Sequence, residues 1–254
     1  MNAPRPFPYK LRISHEGHAG VRLERPGRHF RINPVQPLLD GEVAVITWQW
    51  PEHLQAAAEA VRAGLRPTVI APEAVLVWLE SQGQIVRGES LLDGVSIALI
   101  PYEPIPPMTP IEAVYKAKAA AGSPRRAISR LRQRRGLPQC APQVVVFTFE
   151  DGKKLVHLNL ALHSGTPDSW LSTNHEQISG AEWLLVGMDH GEEDAALSRV
   201  GPLSPRRVLF TDLIGETRRW LGMPTTILTP TVDLAVTQGL DAYPFVSQAS
   251  FRFE

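Results

Sequence analysis

Residues 46 to 54 read Ile-Thr-Trp-Gln-Trp-Pro-Glu-His-Leu and set a carboxylate beside an imidazole where an apolar run gives way to a helix. Glu52 and His53 are residue types that hold a divalent metal or carry a proton. Farther along, His163, Asp189, His190 and Asp212 stand at or just beyond predicted strand ends, where loops bring side chains from distant segments together. Converged on one metal, such groups would lower the pKa of a bound water and polarise a substrate. Trp48 and Trp50 interrupt that pattern, because an indole N–H is a donor only and ligates no metal. Two readings of the pair follow. The rings form an aromatic floor for a planar or apolar ligand, or they fill space and remove the need to satisfy buried polar groups. Packing is the expectation here.

These residues need a scaffold of alternating strands and helices. Tyr9 to Ser14, Gly20 to Glu24 and Arg28 to Ile32 alternate apolar and polar residues as half-exposed antiparallel strands do, while Val43 to Ile46 and Thr68 to Ala71 are short apolar runs of the buried kind. The Ala-rich stretch His53 to Ala63 predicts a helix, and Pro72 to Ser81 opens with Pro and Glu as a helix start does. Gln143 to Phe149 and Leu155 to Leu162 predict a hairpin around Asp151-Gly152. Strands at Trp183 to Met188, Val208 to Thr211 and Thr225 to Leu228 follow, with helices near Glu192 to Arg199 and Glu216 to Leu221. Strand sets with helices between them predict an αββα sandwich.

The loop and its flanks resemble the metallo-β-lactamase superfamily, in which an apolar strand ends in Thr-His-x-His-x-Asp-His before a helix. Thr47 and His53 fit that frame; Trp48 and Trp50 stand where the first two histidines would be, and Glu52 where the aspartate would be. His15-Glu-Gly-His-Ala-Gly-Val-Arg-Leu-Glu24 and Arg28-His-Phe-Arg-Ile-Asn-Pro34 resemble its opening strands, with Asn33 in place of an aspartate. Pro67-Thr-Val-Ile-Ala-Pro72 and Leu92 to Pro101 resemble the next strands of the same half. The likeness is clearest over residues 10 to 102 and closest to the branch of small hydrolases similar to L-ascorbate-6-phosphate lactonase. The resemblance implies an αββα sandwich of the metallo-β-lactamase type, one domain over residues 1–254, with an inserted helical, Arg-rich segment at 105–140. It also implies a degenerate metal site. The Gly-Asp motif it places near Leu160 to Gly165 has no Asp, and the histidine it places near Tyr102-Glu103 is missing. No cofactor is therefore expected, zinc included; a residual site would use His53, Glu52 and His163.

Composition narrows the partners. Lys plus Arg and Asp plus Glu number 26 each, so no global field draws in nucleic acid or membrane. The chain has 43% apolar residues over 254 positions, enough for a substantial core. One cysteine, Cys140, excludes an internal disulfide, and positive charge nearby would lower its pKa. A cytoplasmic location is the expectation, with no stretch of roughly 18 apolar residues to span a bilayer. Nucleophile elbows, phosphate loops and dinucleotide fingerprints are all missing from the sequence.

Within the insertion, Thr109-Pro-Ile-Glu112 reads as a capping box, and Ser123-Pro124 opens a second helix that ends near Gly136. That helix carries Arg125, Arg126, Arg130, Arg132, Arg134 and Arg135, a set suited to phosphate or carboxylate. The expectation is a solvated helix with Ala127, Ile128 and Leu131 toward the core, because no aromatic residues interleave the arginines as stacking platforms. The leading functional expectation is a binding or scaffold protein on a hydrolase fold, a pseudoenzyme with an unidentified small-molecule or protein partner. The alternatives are a metal-dependent hydrolase of a phosphorylated or lactone-type small molecule and a nucleic-acid-associated protein. A homo-oligomer stays open.

Overall fold

The computed structural model describes residues 11–102, 124, 128, 132, 135–213, 215–220 and 223–253. The calls on Met1 to Lys10, on the capping box at Thr109, and on Arg125, Arg126, Arg130 and Arg134 lie outside them. Arg132 and Arg135 are described and exposed.

Two sheets of seven strands each stack face to face. The first is built from β1 (Leu11–Gly17), β2 (Gly20–Arg25), β3 (Arg28–Ile32), β4 (Val43–Val45), β5 (Thr68–Ile70), β6 (Val86–Arg87) and the last strand of the chain, β14 (Ser250–Phe253), in the order β14-β1-β2-β3-β4-β5-β6. The second holds β7 (Leu91–Leu92), β8 (Val95–Pro101), β9 (Gln143–Thr148), β10 (Lys154–His157), β11 (Trp183–Met188), β12 (Val208–Asp212) and β13 (Ala242–Pro244), in the order β13-β12-β11-β10-β9-β8-β7. In β1, Leu11, Ile13 and His15 are buried while Arg12, Ser14 and Glu16 are half-buried, the period of two expected of a strand with one covered face. All six residues of β11 are buried, as a parallel strand between covered faces requires.

Helices cover the outer faces. Leu54 and Ala57 of α1 (Pro51–Arg62) and Leu76 and Leu79 of α2 (Glu73–Glu80) pack on Ala44 and Val69 of the first sheet. Ile178 of α3 (Asp168–Ile178), Leu197 of α4 (Glu193–Val200) and Val232 of α6 (Leu228–Thr237) pack on Val156, Leu184 and Phe210 of the second, with the short α5 (Gly215–Trp220) between β12 and α6. Between the sheets lie Ile13, Leu23, Phe30 and Val45 from one side and Val145, Phe147, Leu155 and Leu209 from the other. Each such buried side chain contributes about 1.5–3 kcal/mol. The architecture is the αββα sandwich expected from the sequence.

Several expectations are corrected. Thr225 to Leu228 is not a strand: Leu228 starts α6, and the strand beside β12 is β13. The second hairpin strand stops at His157, because the chain turns at Leu158 to Leu162. Helix α1 begins at Pro51, whose missing N–H is harmless in a first turn, rather than at His53. Ile128 is 50% exposed and does not face the core.

Candidate functional site

Strands β1, β10, β11 and β12, and the short β4, all end at one edge of the sandwich, and the loops that follow them carry the candidate residues. Their backbones are locked by a buried polar knot. Asn33, after β3, adopts φ +49° and uses its side chain like a turn: Thr47 N–H donates to its Oδ1 at 2.8 Å, and its Nδ2 donates to Thr47 Oγ1 at 2.8 Å. Asn159, after β10, also has φ +49°, and its Nδ2 donates to Thr47 Oγ1 at 2.9 Å and to the Gln143 carbonyl. Asn tolerates left-handed backbone where most side chains do not. Gly187 in β11 runs so close that a Cβ there would sit 2.5 Å from the Asn159 carbonyl oxygen.

Thr47 leads directly to the tryptophans. Trp48 and Trp50 are half-buried and meet edge to face at 5.3 Å between ring centroids, a favoured geometry for an aromatic pair. With His18, Ala19, Asn33, His53, Asn159 and Leu213 they wall a cavity of only ≈ 10 Å³. That is room for about one water molecule.

His53 lies in the first turn of α1, buried, and its Nε2 is 2.6 Å from the His18 carbonyl oxygen. A carbonyl only accepts, so Nε2 carries the proton. His18 and Ala19 form the β1–β2 turn with φ +42° and +63°, two non-glycine residues in succession in left-handed space. Type I′ hairpin turns demand such angles. The same turn aims the His18 ring at Glu216 of α5, with Nε2 2.9 Å from its carboxylate.

Two histidines lie between the sheets here: His15, beside the Gly17 turn, and His157, which sequence reasoning missed. His15 accepts the Gly17 N–H on Nδ1 at 2.9 Å, so its Nε2 donates to Thr211 Oγ1 at 3.0 Å. Burial, with the nearby His18, pushes its pKa down to about 4. His157, the last residue of β10, is 0% exposed, and neither ring nitrogen has a hydrogen-bond partner among the described residues. Burial, then repulsion from His15 and His53, lowers its pKa to about 3. The alternation Leu155, His157 gave the only sequence signal: both face the core between the sheets.

Beside this lies a carboxylate pair. Asp189 follows β11, and Asp212 ends β12 opposite Met188. Asp189 is buried against Arg218 of α5 at 2.5 Å. Asp212 is held at about 6, first by burial and then by the charge of Asp189.

The predicted set is therefore divided. Trp48, Trp50 and His53 share one cavity, Asp189 and Asp212 adjoin one another, and Glu52 is half-buried in the first turn of α1. His163 is drawn to α4, where its carbonyl accepts from Arg199 and its Nδ1 accepts the Gly165 N–H. His190 is at the rim of α4, 3.9 Å from Glu193. Cys140 has its pKa raised by burial, not lowered by neighbouring charge.

Solved structures share this fold. Igni18, a metallo hydrolase from the hyperthermophilic archaeon Ignicoccus hospitalis, aligns with a TM-score of 0.61 at 15% identity over 96% of this chain and 99% of its own. CmlA, a diiron β-hydroxylase from Streptomyces venezuelae, aligns at 0.60 and 13% over 98% of this chain and 55% of its own. A possible metal-dependent hydrolase from Veillonella parvula aligns at 0.54 and 11% over 96% and 100%. No protein-family profile and no curated protein matches the sequence. The fold is of the metallo-β-lactamase type.

These likenesses correct the expectation that no cofactor belongs with this chain. The neighbours are described as metallo, diiron and metal-dependent proteins, so the fold points to metal cofactors. The side chains do not fit a multi-ligand centre, however. Among the described residues no group of three or more His, Cys, Asp or Glu is arranged to hold an ion. No helix among those residues is long and apolar enough to cross a membrane.

Proposed function

We propose that this chain works as a binding or scaffold protein on the metallo-β-lactamase fold, without turnover at the strand ends. Within the fold we assign it to the branch similar to L-ascorbate-6-phosphate lactonase, on the motifs of residues 10 to 102. The observation that carries the binding reading is the ≈ 10 Å³ cavity behind Trp48 and Trp50, which has no space for a substrate beside His53. A catalytic site needs a reacting atom held about 3 Å from its acid, base or metal. Ion binding is compatible with this reading; turnover is not.

The test is hydrolysis of p-nitrophenyl phosphate, bis-p-nitrophenyl phosphate and a γ-lactone by protein supplied in turn with zinc, manganese and iron. The expected result is the same background rate for the parent, His53→Ala and Asp212→Asn. A rate lost in either variant would replace this reading with a second, a metal-dependent hydrolase. That alternative is favoured by two pairs at the strand-end edge of the sandwich, His18 with Glu216 and Asp189 with Asp212. An unidentified small-molecule or protein partner and a cytoplasmic location belong to the proposal as well, and a homo-oligomer stays open.

A further inference from the structure

The outer face of the second sheet carries an open groove between α4 and α6, ≈ 320 Å³ in volume. On the α6 side its wall is Ile227, Pro230 and Leu234, at i, i+3 and i+7, the spacing of one helix face. On the α4 side Glu193, Asp194 and Leu197 repeat that spacing after His190. Leu197, with Leu228 and Val232, belongs to the core beneath, whereas Ile227 is 71% and Leu234 44% exposed. Single apolar residues on a surface are ordinary, but two in one stripe over a groove are apolar surface that the fold itself leaves uncovered.

The groove is charged on one side only. Glu193 and the exposed Asp194 stand on its α4 rim, and no lysine or arginine lines it among the described residues. Arg199 of α4 is engaged elsewhere: it donates to the His163 carbonyl and pairs with Asp168. A partner in this groove must therefore bring aliphatic side chains and positive charge together. An amphipathic helix meets both demands, because its apolar residues recur at i, i+3, i+4 and i+7 and its cations flank that stripe. An anionic lipid surface would set like charge against the two carboxylates.

We propose that the α4–α6 groove docks a basic amphipathic helix of a protein partner, its aliphatic stripe on Leu197, Ile227 and Leu234 and its cations on Glu193 and Asp194. This gives the binding role proposed above a partner chemistry without depending on it: turnover in the hydrolysis assay would sink that role and leave the peptide affinity untouched. Fluorescence-anisotropy titration of the full chain with a labelled amphipathic Leu-Lys peptide, and with its Leu-Glu counterpart, tests the groove. The Leu-Lys peptide should bind and the Leu-Glu peptide should not. Leu234→Ala should weaken binding roughly tenfold, and Asp194→Gln roughly threefold or more, with a shallower loss of affinity as salt rises. Leu39→Ala, at an exposed leucine outside the groove, should change nothing. Equal affinity for both peptides, binding of neither, or affinity unaltered in Leu234→Ala and Asp194→Gln with circular dichroism intact would overturn the proposal. So would phosphatidylserine vesicle binding, or self-association of the chain, that Leu234→Ala abolishes, since either would give the groove a different occupant.

Discussion

The side-chain amide of Asn159 donates to the hydroxyl of Thr47 at 2.9 Å, joining the ends of strands that lie in different sheets. Thr47 is 0% exposed and serves Asn33 as well, so one hydroxyl ties its own loop to two others. Thr47→Val keeps the shape but leaves both amides short of a partner. The expected cost is about 1–3 kcal/mol in urea unfolding, with Thr47→Ser close to the parent. Equal midpoints for Val and Ser would show that the knot contributes nothing.

The Trp48–Trp50 pair makes a second prediction. Either ring replaced by alanine should open the cavity and lose about 1–3 kcal/mol, less than a fully buried ring because both are half-buried. The enlarged cavity should then admit indole, seen as a rise in melting temperature that the parent does not show. A cavity that rejects indole in both variants would mean that neighbouring loops collapse into the space.

How much of this was legible in the sequence depends on range. The strand–loop–helix at Val43 to Arg62 was readable because an apolar run, a proline at the helix start and an alanine-rich stretch are local signals. Helix α6 was not, since Thr225 to Leu228 has β-type residues and Pro230 argues against a helix; that proline falls in the first turn, where it costs no hydrogen bond. Helix α3 was also missed, because Ser169, Ser172, Thr173 and Asn174 are weak helix formers. The site was legible in its residue types but not in its partners. His157 reads as an ordinary strand residue, and the Asp189–Arg218 contact spans a turn and two elements that no local pattern connects.

Asp212 provides a pH test. Its pKa is raised from 3.8 to about 6, so the fold disfavours its charged form; its contribution to stability is present below pH 3.8 and lost as the pH rises through 6. Asp212→Asn removes the titration. The variant should gain on the parent between pH 4 and pH 7 by about 1–2 kcal/mol, after discounting for partial exposure. A constant difference across that range, measured by chemical unfolding at each pH, would contradict the raised pKa.

His157 predicts the opposite slope. Its pKa falls from 6.5 to about 3 and that of His15 to about 4, so both are neutral in the fold while the unfolded chain binds protons below pH 6.5. The stability they contribute is complete above pH 6.5 and is lost as the pH falls toward 4 and then 3. For a fully buried ring with no hydrogen-bond partner among the described residues, the loss should reach roughly 3–5 kcal/mol, larger than the opposing gain from Asp212. The net result is a stability that begins to fall just below neutrality. His157→Leu fills the same core position beside Leu155 without a titratable ring, so its stability should change far less between pH 7 and pH 4 than the parent's. An unaltered acid limb in that variant would assign the transition to other groups and leave His157 as a packing residue alone.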